Sequence, residues 1–494
     1  MERMSGILLA VSSLPSPYGI GTMGAEARAF CDFLNGARQR VWQVLPIGPT
    51  SYGDSPYQSF STFAGNPYLI DLDELIGEGL IERNDAEACD WGDDPEKVDY
   101  GKLYAARFTV LNKAYEMFMR DPARRENLKA YCERNAAWLS DYALFMALKD
   151  HFDGKMWIDW PDGARLRNSA ALEGYRAELS ERVGFYGFTQ HVFDRQWEGL
   201  KAYAHARGIR ILGDLPIYVP LDSADVWAAP DAFLLDADRR PEAVAGVPPD
   251  YFTADGQLWG NPLYDWAAQK ANGYAWWIKR MEKALMRFDT VRFDHFRGLA
   301  SYWRVPYGMP TAKIGEWVTG PGMDFISALK AHFGELDLIA EDLGYLTPDV
   351  QKLLYDSGFP GMKVLQFAFD AREPSNYLPH TYTKNCVCYT GTHDNTTAAG
   401  WFTEAARDDA QLAVRYLGLN DAEGYAMGMV RGGMSSVADL FIAQMQDYLN
   451  LGSAARMNIP GTLGGDNWKW RMLKGACTEA LAANIAEMTR MYGR

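Results

Sequence analysis

The sequence predicts an α/β fold, a (β/α)8 TIM barrel, on three observations. Apolar stretches of strand character recur along the 494 residues, and amphipathic helical stretches separate them. Acidic residues stand at the carboxyl ends of several of these strands, the edge at which such barrels hold their active sites. A doubly wound open sheet is the alternative, but it does not predict acids at four separate strand ends. The acids are Asp214, Asp294, Glu341 and Asp394.

Composition narrows the class of protein. Asp and Glu number 64 and Lys and Arg 49, so the net charge is −15 and we expect no nucleic-acid partner. No stretch approaches the roughly 18 apolar residues that cross a bilayer, so we expect no membrane partner. Six cysteines are scattered along the chain, and Cys386 and Cys388 lack the further ligands that zinc requires. These features predict a cytoplasmic protein with reduced thiols and no metal.

The first strand, at 6–11, leads to a glycine motif that resembles a dinucleotide-binding loop. Gly19-Ile20-Gly21-Thr22-Met23-Gly24 fits G-x-G-x-x-G and precedes an amphipathic helix. However, a proline-containing loop separates it from the strand, and the second strand, 41–45, ends in Pro46 where an acid is expected. The glycines are therefore interpreted as a tight loop with close backbone packing.

Two insertions interrupt the barrel. After strand 2, a long loop at 46–60 leads into charged, helix-forming sequence, and after strand 3, at 209–214, the chain is rich in Pro, Asp and Trp. Loops of that length inside a compact domain usually carry function. The predicted organisation is barrel at 1–72, a helical insertion at 73–187, barrel at 188–217, a loop-rich insertion near the active site at 218–275, and the rest of the barrel at 276–494.

The remaining strands are predicted from short apolar runs. Four are placed at 290–296, 336–341, 362–367 and 386–391, and a last one near 456–460. A final helix is expected over about 470–490.

The stretch 290–298 carries the first chemical signal. Residues i and i+2 of a strand share a face, so Arg292 and Asp294 should project together while Phe293 turns into the packing. A paired Arg keeps a carboxylate ionised, as a nucleophile or electrostatic stabiliser requires. The alternative for this stretch alone is a structural ion pair at a strand end.

Two other strand ends supply partners. Glu341 and Asp342 follow one apolar strand, and alternation should leave one in the site and the other in a structural bond. His393 and Asp394 follow another. A helix N-cap explains any one acid, but not three acids with an Arg and a His at matching strand ends. Paired carboxylates suit glycosidic chemistry, and the 16 Trp and 27 Tyr residues offer surfaces for sugar rings.

Seven motifs, in order, make the sequence resemble the 4-alpha-glucanotransferases (amylomaltases or disproportionating enzymes) of glycoside hydrolase family 77, in the alpha-amylase clan. The resemblance runs nearly from end to end and is weakest at 73–187. The motifs are Ser55-Pro56-Tyr57-Gln58-Ser59, Gly213-Asp214-Leu215-Pro216, Val247-Pro248-Pro249-Asp250-Tyr251-Phe252, Trp259-Gly260-Asn261-Pro262, Arg292 to Gly298, Ala340-Glu341-Asp342-Leu343-Gly344 and Gly391-Thr392-His393-Asp394-Asn395.

The resemblance implies a role for each matching residue. Asp294 would be the nucleophile, Glu341 the general acid and then base, and Asp394 the residue that binds sugar hydroxyls and stabilises the distorted ring. Retention of the α-configuration follows, with the carboxyl groups of Asp294 and Glu341 about 5–5.5 Å apart. The expected substrate-binding residues are Arg292, His393, Asp214, Tyr57, Trp259 and Asn261.

The implied reaction transfers an α-1,4-glucan segment from a malto-oligosaccharide to the 4-hydroxyl of glucose or another glucan, without a cofactor. Transfer requires that the intermediate be shielded from water, and the loops 246–262 and 461–467 are candidates for that shielding. An α-1,4-glucan hydrolase of the same clan is one alternative. A catalytically silent glucan-binding barrel is another, and it predicts loss of an acid although all three are present.

Overall fold

A computed structural model describes residues 3–249, 253–344 and 346–494. Numbered along the chain, the strands within these ranges are β1 Met4–Leu8, β2 Val41–Gln43, β3 Arg210–Pro216, β4 Ala243–Val247, β5 Gln257–Pro262, β6 Thr290–Asp294, β7 Ser301–Pro306, β8 Glu316–Thr319, β9 Leu338–Ala340, β10 Gly361–Val364, β11 Cys386–Tyr389 and β12 Leu440–Gln444. Eight of them form one parallel sheet in the order β10-β11-β12-β1-β2-β3-β6-β9, and the others form a second sheet.

The helices alternate with the barrel strands and fill the insertion after β2. They are α1 Ala25–Gly36, α2 Leu72–Gly77, α3 Arg83–Glu87, α4 Tyr100–Phe118, α5 Pro122–Arg134, α6 Ala136–His151, α7 Asp162–Arg165, α8 Ser169–Glu178, α9 Ser180–His205, α10 Ala224–Ala228, α11 Trp266–Ala271, α12 Ala275–Arg287, α13 Gly322–Phe333, α14 Pro348–Ser357, α15 Ala398–Glu404, α16 Arg407–Leu417, α17 Tyr425–Ser435, α18 Met445–Tyr448 and α19 Glu479–Met491.

The two end strands of the eight-stranded sheet meet at a seam between β9 and β10. Ala340 N, at the end of β9, donates to Pro360 O at 2.9 Å, one residue before β10. Asp342 is buried there, and its Oδ1 accepts the backbone N–H of Met362 at 2.6 Å. Asp342 is therefore the structural member of the adjacent acids, as strand alternation predicted. The predicted barrel is confirmed, and its seam is held partly by a side chain.

The eighth barrel strand lies before the predicted position. Residues 456–460 form no strand, and β12 at Leu440–Gln444 pairs with both β1 and β11. Every residue of β12 is buried. A strand buried on both faces has no alternation and cannot be distinguished from a buried helical segment by periodicity, which explains the error. The final helix, α19, also begins later than expected, at Glu479.

A second sheet, which the sequence analysis did not predict, lies partly in the loop-rich insertion. Within the described ranges it is four-stranded and antiparallel, in the order β5-β4-β7-β8. Its strands β7 and β8 follow the site strand β6, and β5 carries two of the predicted substrate-binding residues. The sheet therefore joins the insertion to the carboxyl end of β6.

The helical insertion continues directly into the barrel. The helix α9 runs without a break through the predicted boundary at residues 187 and 188. Its buried residues Phe193 and Trp197 belong to the main hydrophobic core. In the described part of the chain, no helix is long and apolar enough to cross a membrane.

Candidate active site

The four predicted acids occupy one edge of the barrel. Asp214 lies in β3, Asp294 ends β6, Glu341 directly follows β9, and Asp394 lies in the turn after β11. The strands β3, β6 and β9 are neighbours, and their register places Asp214 beside Arg292. Because all strands of the eight-stranded sheet are parallel, their carboxyl ends meet at this edge.

Arg292 lies at the centre of the cluster. Its Nη1 donates to both carboxylate oxygens of Asp214 at 2.8 and 2.6 Å, and its Nη2 contacts Asp294 Oδ1 at 2.9 Å. Phe293 points the other way, and its ring stacks on Trp277 at 5.6 Å. The shared face predicted for Arg292 and Asp294 is therefore confirmed, and one buried guanidinium holds two carboxylates.

Burial has the largest effect on the pKa values of Asp294 and Glu341. It raises the pKa of Asp294 well above its ordinary value, and Arg292 lowers that pKa without cancelling the effect. Burial also raises the pKa of Glu341, against Arg292 and two backbone amides. The amides belong to His295, 2.8 Å from Oε2, and Leu343, 2.8 Å from Oε1. Arg292 acts on Asp294 in the expected direction, but burial is the larger effect.

An aromatic wall adjoins Asp214. The Tyr57 hydroxyl donates to Asp214 Oδ2 at 2.7 Å, and its ring stacks on His393 at 5.1 Å. Trp468 packs against both rings, 5.6 Å from Tyr57 and 5.9 Å from His393. Burial raises the pKa of Tyr57 and lowers the pKa of His393, so both side chains are neutral hydrogen-bonding groups near pH 7.

Asp394 is held by residues that the sequence analysis missed. Asn458 Nδ2 donates to its Oδ1 at 2.6 Å, and Arg456 donates to its backbone carbonyl at 2.5 Å. His393 Nε2 lies 3.4 Å from Asp394 Oδ1. Arg456 and Asn458 lie in the segment that was predicted as the last strand, so a loop that reaches the site was interpreted as barrel. An Asn and an Arg in a polar loop gave no stronger signal.

Trp259 and Asn261 lie two residues apart on β5. The ring of Trp259 meets the ring of His295 edge to face, with centroids 4.7 Å apart. Asn261 is buried. The ring contact places β5 against the residue that follows Asp294. Asp250, Tyr251 and Phe252, which complete the predicted motif at 247–252, lie outside the described residues.

The fold and this edge define a class of protein. Two carboxyl groups whose pKa values are raised by burial, both against the same guanidinium, stand at strand ends beside aromatic rings and neutral hydrogen-bonding groups. These groups together suit acid–base and nucleophilic chemistry on a polyhydroxylated substrate. The class is a carbohydrate-active barrel enzyme.

Comparison with known proteins gives the family. The family model described as 4-alpha-glucanotransferase matches residues 9–476. The chain is 48% identical to a 4-alpha-glucanotransferase of Clostridium butyricum, over 98% of this chain and 99% of that one. It is also 48% identical to one of Streptococcus pneumoniae serotype 4, over 100% and 98%. The chain belongs to the 4-alpha-glucanotransferase family, glycoside hydrolase family 77.

A solved structure supports the same assignment. An amylomaltase from Streptococcus agalactiae, in complex with acarbose, superposes with a TM-score of 0.97 at 43% identity, over the full length of both chains. The fold of the whole chain thus corresponds to an architecture seen in a relative.

Proposed function

We propose that this protein transfers α-1,4-glucan segments from a malto-oligosaccharide donor to the 4-hydroxyl of glucose or another glucan. The reaction is a retaining double displacement through a covalent glycosyl-enzyme. The observation that carries the proposal is the Arg292–Asp294 pair at the end of β6, with Glu341 at the end of the neighbouring strand. Family membership supports the transfer, and these residues supply groups suited to each of its steps.

In the first step, a carboxylate oxygen of Asp294 attacks the anomeric carbon of the donor. Glu341 gives its proton to the oxygen of the glycosidic bond as that bond breaks, and the shortened glucan leaves. In the second step, the 4-hydroxyl of an acceptor loses its proton to Glu341 and attacks the same carbon. Asp294 is released as a carboxylate, and two inversions retain the α-configuration.

The proposed mechanism requires a proton on Glu341 and a carboxylate on Asp294 in the resting enzyme. Arg292 lies 2.9 Å from Asp294 Oδ1 and favours the charged form of Asp294. The amides of His295 and Leu343 likewise favour the charged form of Glu341, and burial favours the protonated form of both acids. The direct contact with Arg292 supports Asp294 as the nucleophile.

The other polar groups bind and distort the sugar. Asp394 accepts hydrogen bonds from ring hydroxyls, and Asn458 holds it in place at 2.6 Å. Tyr57 offers a ring surface, while Asp214 and His393 bind hydroxyls beside the scissile bond. Arg292, Trp259 and Asn261 complete the proposed binding set.

Transfer in preference to hydrolysis requires that water be kept from the glycosyl-enzyme until an acceptor arrives. The segment 461–467 follows Asn458, which touches Asp394, so it lies at the rim of the site. The described part of the segment 246–262 approaches the site through Trp259, whose ring contacts His295, and residues 250–252 lie outside the described residues. We propose these two segments as the shield.

The free thiol state of each of the six cysteines, all within the described ranges, supports a reducing, cytoplasmic location.

Product analysis with maltotriose as the only substrate tests the function. Transfer gives glucose together with chains longer than maltotriose, because each donor fragment is joined to another sugar. Products no longer than the substrate would show hydrolysis and refute transfer. The variant Asp294→Asn should give neither set of products while keeping the far-ultraviolet circular dichroism of the wild type. An active, folded variant would overturn the assignment of the nucleophile.

A further inference from the structure

His295 has an unusual backbone conformation beside the two central acids. It directly follows Asp294 and has φ 53° and ψ 46°, in the left-handed region. This conformation is unfavourable for a residue that has a Cβ atom. Such conformations persist only where the surrounding structure enforces them, and they concentrate at functional sites.

The left-handed turn directs the His295 amide at Glu341. The N–H of His295 donates to Glu341 Oε2 at 2.8 Å, and the N–H of Leu343 donates to Oε1 at 2.8 Å. The main chain is fixed by the same pair of segments, because Glu341 N donates to Phe293 O at 3.0 Å and Phe296 N donates to Glu341 O at 3.1 Å. With one amide on each oxygen, the carboxyl plane of Glu341 cannot rotate without breaking a hydrogen bond.

The imidazole of His295 makes contacts that differ from those of its backbone amide. Its ring lies edge to face on Trp259, and it covers Gly298, where a Cβ would come within 3.1 Å of His295 Cδ2. Burial lowers the pKa of His295 to about 3, so the ring is neutral in the working range of an enzyme. The ring therefore packs between β5 and the turn after β6, whereas the hydrogen bond from His295 to Glu341 is made by the backbone.

We propose that His295 is a positioning residue whose left-handed backbone, rather than its imidazole, orients Glu341 and sets the pH range in which Glu341 acts. The inference rests on the proposed role of Glu341 as the acid and base. Losing the His295 amide would remove a donor that stabilises the Glu341 carboxylate. Glu341 would then keep its proton to higher pH and would also lose its fixed orientation.

Other charged and titratable groups near Glu341 act on it from several elements. These groups are unchanged in the variants below, so a difference between variants reports residue 295. They are Arg292 and Asp294 on β6, Arg297 in the following turn, Asp342 after β9 and Tyr377 in the loop after β10.

Variants at position 295 separate the backbone from the ring. Glycine adopts the left-handed conformation freely and asparagine tolerates it, whereas valine, which is β-branched, does not. His295→Val should lower kcat for maltotriose at least tenfold and should move the alkaline limb of the pH profile up by about one to two pH units. His295→Gly and His295→Asn should keep kcat and that limb, and all three variants should share the change in KM that follows from loss of the ring beside Trp259. His295→Ala, a milder case, should fall between valine and glycine.

Far-ultraviolet circular dichroism and unfolding in urea identify any variant that does not fold, and the His295→Ala variant then provides the comparison with His295→Gly. Equal loss of kcat in the Gly, Asn and Val variants would show that the imidazole is required and overturn the inference. An unchanged alkaline limb in the folded valine or alanine variant would do the same. Wild-type enzyme that fails to lengthen maltotriose would instead refute the proposed function, so the two failures are distinguishable.

Discussion

At the scale of single residues, Arg292 contacts two carboxylates, those of Asp214 and Asp294, and the two contacts have different effects. Its side chain is 4% exposed and that of Asp214 is fully buried, while Asp294 is 27% exposed. Asp214 and Asp294 raise the pKa of Arg292 well above its ordinary value, although burial opposes them. The guanidinium therefore stabilises the fold through Asp214 and the proposed nucleophile through Asp294.

Replacing Arg292 by methionine should destabilise the protein strongly. The change leaves the Asp214 carboxylate buried without its cation, and breaking a buried pair in this way costs about 3–5 kcal/mol. Urea unfolding measures the loss, and Arg292→Met/Asp214→Asn should recover part of it. The matched control is Arg304→Met, since Arg304 pairs with Glu316 in an exposed ion pair worth at most about 1 kcal/mol. Equal losses for the two methionine variants would contradict the account.

At the scale of elements, the segment 459–467 is a closed loop fastened at its base. Asn467 is buried, accepts the N–H of Ile459 at 2.9 Å and donates to the Thr462 hydroxyl at 2.9 Å. The exposed Leu463 meets the loop after β2 at Gly53, where a Cβ would lie 2.7 Å from Leu463 Cδ1 and φ is +75°. The 459–467 loop and the loop after β2 therefore meet at Gly53, where the positive φ and the closeness of Leu463 both favour glycine.

Replacing Asn467 by alanine should open this loop and increase hydrolysis. Each of the two hydrogen bonds lost contributes about 1 kcal/mol, so the open population should rise roughly thirtyfold and the hydrolysed fraction should rise with it. The measurement is the ratio of hydrolysis to transfer products from maltotriose. Lys474→Ala, which removes a largely exposed side chain paired with Glu26 outside the loop, should leave the ratio unchanged. An unchanged ratio in Asn467→Ala would exclude the loop as a shield.

At the scale of the whole molecule, two buried acids outside the proposed catalytic set make stability depend on pH. Burial raises the pKa of Asp225 and of Asp447 to about 6. An unfolded Asp titrates near 3.9, so the folded protein binds these protons more tightly. Their contribution is fully present below about pH 4 and is lost as the pH rises through about 6. Each of the two groups changes the free energy of unfolding by about 3 kcal/mol over this pH range.

Asp447→Asn should remove one of these two dependences. The variant keeps an oxygen for the Ala398 amide, 2.6 Å from Asp447 Oδ1, and the Thr390 hydroxyl can reverse to accept a hydrogen bond. The stability of the variant relative to wild type should therefore be greater at about pH 8 than at about pH 4. The difference in the free energy of unfolding between the two pH values should be up to about 3 kcal/mol. Asp93→Asn, at an exposed site, should show a difference within about 0.5 kcal/mol. Parallel pH curves for the Asp447 variant and wild type would contradict the argument.

The barrel and the central acids could be predicted because their signals are local. The i, i+2 relation places Arg292 and Asp294 on one face, and the apolar run before Glu341 ends where the acid begins. The strand β12 was misplaced because a strand buried on both faces has no periodicity. Asn458, Trp468 and the amide of His295 act through long-range contacts or backbone conformation, which a single sequence does not encode at any one position.

The double displacement through Asp294 is the central claim, and trapping the glycosyl-enzyme tests it most directly. In an α-maltotriosyl fluoride, the fluoride leaves without help from an acid. If the terminal 4-hydroxyl of this donor is blocked, the donor cannot also serve as an acceptor. With this donor, Glu341→Gln should accumulate a covalent adduct because deglycosylation lacks its base. Intact-mass and peptide mass spectrometry should place one maltotriosyl group on Asp294. An adduct on another residue, or an equal adduct in Asp294→Asn, would contradict the mechanism.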